Sequence, residues 1–65
     1  MNFASARIAA GLTQSEVARR LEIDQSAVSR WENGKRIPRG TLLVKVADLY
    51  GCTIDELLGR VPAGA

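Results

Sequence analysis

Apolar residues recur along this chain at three- and four-residue spacing, interrupted by glycines and capping residues. That pattern predicts a run of short amphipathic helices. Asn2 can cap a first helix that runs through Ala10 and stops at Gly11. Thr13-Gln14-Ser15-Glu16 has the form of a capping box, in which the Thr hydroxyl and the Glu carboxylate satisfy each other's backbone amides. It opens a second helix ending near Leu21 or Glu22. Val17, Ala18 and Leu21 form its apolar stripe, and Glu16 and Arg20 sit outside as a favourable i,i+4 pair. Asp24 can cap a third helix, and Gly34 is expected to be the left-handed residue after it. Pro38 holds the next connection extended. A fourth helix places Leu43, Val46, Ala47 and Tyr50 on a core stripe, with Leu42 and Leu49 together on its flank. Thr53-Ile54-Asp55-Glu56 repeats the capping-box pattern before a short fifth helix that stops at Gly59. No stretch alternates long enough for a strand. The reading is an all-α, compact five-helix domain over residues 1–60, with helices at about 2–10, 13–21, 24–33, 40–50 and 53–58. Val61 to Ala65 is expected to fray.

The third helix carries the most information. At about 100° per residue from Gln25, Ser29 falls near 40°, Ser26 near 100° and Arg30 near 140°. Ala27, Trp31 and Val28 fall near 200°, 240° and 300° on the same scale. One side packs, while the other offers an amide, two hydroxyls and a guanidinium. Those groups suit the donor and acceptor pattern of base edges in the major groove of DNA. Trp31, on the packing side, is expected to be core.

Composition narrows the picture modestly. A chain of 65 residues with 46% hydrophobic residues makes one small core, and domains of this size bury only about 60% of their unfolded surface. No apolar run is long enough to span a bilayer, and Met1 leads straight into helix-like sequence without a signal-peptide pattern. The single cysteine, Cys52, cannot close an internal disulfide, which fits a cytoplasmic setting. A net charge of +2 would not by itself suggest nucleic acid. The distribution says more: Arg30, Lys35, Arg36 and Arg39 crowd the middle, whereas Asp48, Asp55 and Glu56 make the C-terminal part acidic. Catalysis is not expected. The chain has no histidine, no phosphate loop and no convergent acids, and neither a metal nor a cofactor is implied.

Taken together, Gly11-Leu12-Thr13-Gln14, Val17-Ala18, Leu21, Ser26 through Gly34, Pro38, Lys45-Val46-Ala47 and Thr53 through Leu58 resemble the helix-turn-helix domain of the lambda/434 repressor and Cro-like (XRE) family. The likeness covers about three quarters of the chain, and its specificity lies in the order and spacing of pieces that are individually weak. It implies that Gln14 contacts a phosphate and braces the first side chain of the recognition helix. It implies that Gln25 and Ser26 read bases, and that Asn33, Lys35, Arg36 and Arg39 bind the phosphate backbone. Arg30, one turn further on, favours guanine if it reaches the groove floor and otherwise pairs with a phosphate; Ser29, on the same polar face, is a further candidate base reader. It implies an ion pair between Arg7 and Glu32, and a buried, inert Cys52. Asp24 departs from the family pattern by placing a negative charge where the recognition helix begins. A capping role would account for it.

The function this implies is a sequence-specific transcriptional regulator of double-stranded DNA, a repressor that binds a palindromic operator as a homodimer. Leu42 and Leu49 are the candidate dimer contacts. The alternative is an antitoxin or anti-regulator that acts mainly by binding another protein, through Leu42, Leu49 and the fifth helix. No membrane partner is expected. The chain is also compatible with being the N-terminal part of a longer regulator, since larger repressors of this family carry such a domain there.

Overall fold

The computed structural model describes residues 2–59, so the expected fraying of residues 61–65 lies outside the described residues. Five helices follow one another: α1 Phe3–Ala9, α2 Gln14–Leu21, α3 Gln25–Glu32, α4 Thr41–Tyr50 and α5 Ile54–Leu58. No strand occurs among the described residues. The helices differ from the expected ranges chiefly by the capping residues at their ends. All-α architecture follows from the absence of any period-two segment.

Both capping boxes form. Thr13 accepts from the Glu16 amide while Glu16 reaches back to the Thr13 amide, and Thr53 and Glu56 do the same for α5. The hydrogen bonds from Thr13 hold the Glu16 carboxyl below its ordinary pKa. Glu16 makes no direct salt bridge with Arg20, but the charges of Arg19 and Arg20 act on its carboxylate in the same favourable direction, as the i,i+4 spacing predicts. Two other expected caps are corrected. Asn2 stands at the start of α1 without a side-chain cap bond; its Nδ2 donates instead to the Glu56 carbonyl at 3.0 Å, and its backbone amide donates to Leu57 at 2.8 Å. Asp24 likewise makes no side-chain cap bond, and only its backbone carbonyl takes part, accepting from Ala27 at 3.0 Å.

Four helices end in the same way. The first or second residue after the helix adopts left-handed backbone, and the next amide folds back to a carbonyl five residues earlier: Leu12 to Arg7, Ile23 to Ala18, Lys35 to Arg30 and Cys52 to Ala47. Glycine occupies the left-handed position in three of them, as the steric cost of a Cβ there would require. In the turn between α2 and α3 that position is Glu22, with φ 57°, the one non-glycine residue with positive φ among those described.

The helices close around Phe3, Val17, Ala18, Val28, Trp31, Val46, Ala47, Tyr50 and Leu57. Phe3 and Trp31 pack at a tilt, with ring centroids 6.1 Å apart. Leu21, Ile23, Ala27, Leu42, Leu43, Leu49 and Cys52 are half-buried around that centre. The Tyr50 hydroxyl is buried without a hydrogen-bond partner among the described residues, and burial, with the nearby Glu32 charge, pushes its pKa up to about 12. α2 and α3 are the most extensively packed pair, and α1 lies against α3, α4 and α5. α3 is therefore seated from two sides.

Candidate nucleic-acid interface

α3 divides as its periodicity predicts. Val28 and Trp31 are buried and Ala27 is half-buried, whereas Gln25, Ser26 and Arg30 are exposed. Ser29 is half-buried at the edge of the polar face and accepts a long hydrogen bond from Asn33 Nδ2 at 3.4 Å. A helix held by Val28 and Trp31 cannot rotate without exposing them, so the polar face has a fixed aim. Full burial of such side chains is worth about 1.5–3 kcal/mol each.

The end of α3 sets the direction of the basic segment. The Gly34 amide donates to Trp31 and the Lys35 amide to Arg30, at 3.3 and 2.9 Å, with Gly34 at φ 75°. The chain thus leaves the helix sharply and carries Lys35, Arg36 and Arg39 out as exposed cations. Between α3 and this segment runs a groove of about 440 Å³, lined by Arg30, Arg36 and Arg39 together with Ala27, Trp31, Ile37, Pro38 and Leu42. Pro38 is buried, which anchors the segment, and Ile37 remains 45% exposed. The sequence reading did not single out Ile37. Nothing local marks it, because its importance comes from the loop folding back beside α3.

On the inner side, Arg7 and Glu32 form a two-pronged salt bridge. Arg7 Nε lies 2.6 Å from Glu32 Oε2 and Nη2 lies 3.2 Å from Oε1, while Nη1 donates to the Leu12 carbonyl at 2.9 Å. Burial alone would raise the pKa of Glu32, but the hydrogen bonds from Arg7 and Gln14 and the charge of Arg7 hold it below the ordinary carboxylate value. The Glu32 hydrogen bond in turn raises that of Arg7. Gln14 Nε2 donates to the same carboxylate at 2.9 Å, and Gln25 Nε2 lies 3.5 Å from Gln14 Oε1. The structure therefore brings Arg7, Glu32, Gln14 and Gln25 into one chain of contacts. The link from Glu32 to Gln14 was not legible in the sequence, since it joins residues 18 positions apart.

Other singled-out residues sit elsewhere. Leu42 and Leu49 are half-buried against the core, while Val44 is the exposed apolar residue of α4 at 47%. Cys52 is half-buried, and burial pushes its thiol pKa up, away from the reactive range. Among the described residues no group of three or more His, Cys, Asp or Glu side chains could hold a metal ion, and no helix is long and apolar enough to cross a membrane. The arrangement offers an exposed hydrogen-bonding helix face flanked by exposed cations: groups able to match a donor and acceptor pattern and groups able to hold an anion.

Comparison with known proteins agrees with that chemistry. The sequence profile of the helix-turn-helix family matches residues 3–57. The chain is 38% identical over 52 residues to the HTH-type transcriptional activator BcrR of Enterococcus faecalis, covering 80% of this chain and 26% of that protein. It is 40% identical over 55 residues to the HTH-type transcriptional regulator ImmR of Bacillus subtilis strain 168, covering 85% and 43% respectively. It is 37% identical over 57 residues to the cryptic phage CTXphi transcriptional repressor RstR of Vibrio cholerae serotype O1, covering 88% and 51%. The chain thus spans about half or less of the length of these relatives. No solved structure matches it.

Proposed function

The chain belongs to the helix-turn-helix family, and from that premise we propose that it is a sequence-specific, double-stranded DNA-binding module of a cytoplasmic transcriptional regulator. The observation that carries this reading is the division of α3: Gln25, Ser26 and Arg30 stand exposed on one side of a helix whose other side is locked by Val28 and Trp31. In this reading α3 enters the major groove. Gln25 and Ser26 meet base edges first, and Arg30 and Ser29 meet them further along the helix. Gln14, Asn33, Lys35, Arg36 and Arg39 hold phosphates, supplying affinity that carries no sequence information. The basic groove beside α3 supports this division of labour.

A single domain of this size makes few base contacts, so we assign it a homodimer on a palindromic operator, acting as a repressor. The half-buried edges of Leu42 and Leu49 on the α4 flank are the surface given to the two-fold contact. Half-sites would then lie one helical turn apart, roughly 34–36 Å. Selection from a random duplex library at physiological salt tests both levels. A two-fold symmetric motif supports the full reading. An asymmetric single site removes the dimer, and recovery of no motif removes sequence reading in favour of a protein partner.

A further inference from the structure

Glu32 ends α3 on the side away from solvent, and its carboxylate can only accept hydrogen bonds. Its Oε1 takes Gln14 Nε2 at 2.9 Å while both oxygens are held by Arg7. The amide nitrogen of Gln14 must therefore face Glu32, which turns the Gln14 carbonyl oxygen toward Gln25, 3.5 Å from its Nε2. That acceptor draws one N–H of Gln25 inward. What Gln25 has left to offer outward is its other N–H and its carbonyl oxygen, a donor beside an acceptor. This pair complements the N7 acceptor and N6 donor of adenine. If Gln14 were reversed, its amide donors would face Gln25, whose carbonyl would turn inward. Two N–H donors would then point outward, the complement of guanine O6 and N7.

We propose that Glu32 is a positioning residue for base recognition: by accepting from Gln14 it sets the polarity of the Gln14–Gln25 amide pair, and so makes Gln25 favour adenine over guanine. The inference rests on the reading that Gln25 faces base edges, and it gives the Arg7–Glu32 pair a role in specificity beside its role in the fold. Arg7 contributes by keeping the carboxylate ionised and fixed.

The test uses the full chain and four duplexes that differ only at the base pair relaxed by Gln25→Ala, within the motif recovered by selection. Glu32→Gln keeps the shape and an acceptor for Arg7 but lets Gln14 turn either way. Gln14→Met cuts the relay and leaves the Arg7–Glu32 pair untouched, so a folding defect in the first variant does not decide the matter. Both variants should lower the adenine-to-guanine affinity ratio at that base pair by about ten-fold, within the range a bidentate contact supplies, with ratios at the other base pairs unchanged. If Gln25→Ala relaxes the position while Glu32→Gln and Gln14→Met both keep the wild-type ratio, the proposal is overturned and the DNA-reading function stands. An equal loss at all positions in Glu32→Gln, with Gln14→Met silent at this one, also overturns it, leaving Glu32 purely structural. A wild-type chain without preference at any base pair overturns both the proposal and the function it rests on.

Discussion

Arg7 grips Glu32 through two nitrogens, at 2.6 and 3.2 Å, and so ties the first helix to the last residue of α3. The side chains are only 15% and 9% exposed, so the pair lies between the surface and buried regimes. Exposed pairs are worth about 1 kcal/mol or less, whereas breaking a buried one costs about 3–5 kcal/mol. Arg7→Ala is expected to lose about 2–3 kcal/mol of stability in urea unfolding, between those limits. A loss below about 0.5 kcal/mol, the range of ordinary surface substitutions, would mean that the pair is effectively solvated.

The same pair gives stability a pH dependence. Glu32 titrates lower in the folded protein than in the unfolded chain, so its contribution is complete above the unfolded value of about 4.3. It is lost as pH falls through the lower folded value. Unfolding measured from neutral pH down to the acid limit should show a steeper acid loss for the wild type than for Glu32→Gln, with the difference confined to that window. Parallel curves would show that Glu32 is not depressed.

Glu22 bears the left-handed turn between α2 and α3 that glycine bears at the four other helix ends. For an L-residue this backbone costs roughly 1–2 kcal/mol, partly offset by the entropy glycine loses on folding. Glu22→Gly is therefore predicted to stabilise the domain by about 0.5–1 kcal/mol, read as a higher denaturant midpoint at unchanged slope. A lower midpoint would show that the Glu22 side chain makes a compensating contribution.

How far the fold could be read from the chain depended on the range of each interaction. The Thr13 and Thr53 boxes close within four residues, and the sides of α3 follow from its period, so both were legible. Asn2 and Asp24 have the composition of caps but do not act as side-chain caps, because residue type states an ability and not its use. Asn2 is taken by the backbone of α5, more than fifty positions away. The left-handed Glu22 left no compositional trace, and the Glu32–Gln14 bond exists only once α2 and α3 are packed. In the candidate site, the exposed face and the basic segment were readable residue by residue and the resemblance implied that Gln14 braces Gln25, whereas the groove beside Ile37 and the anchoring of Gln14 by Glu32 needed the third dimension.

The two kinds of cap separate experimentally. Thr13→Ala should cost about 1 kcal/mol. Asp24→Asn should stay within about 0.5 kcal/mol, since no side-chain cap bond is lost. In DNA binding, Asp24→Asn should raise affinity for every duplex tested, by removing a negative charge from the start of α3. Reduced affinity restricted to one base pair would instead identify Asp24 as a reader, accepting from cytosine.

Lys35, Arg36 and Arg39 are exposed and lie beyond the sharp turn at Gly34. As phosphate ligands they should act on all sequences alike. Arg36→Ala is predicted to weaken selected and random DNA by the same factor and to reduce the salt slope of binding by about one. A loss confined to the selected sequence would make Arg36 a base reader.

The most direct test of the α3 reading is a comparison of affinities for the selected duplex and a scrambled one, at a single salt concentration, with wild type and with Gln25→Ala combined with Ser26→Ala. The account predicts that the double substitution collapses the selected-to-scrambled ratio toward one while leaving scrambled binding nearly unchanged. A ratio that survives the loss of both side chains would contradict it, because sequence would then be read from some other surface of the domain.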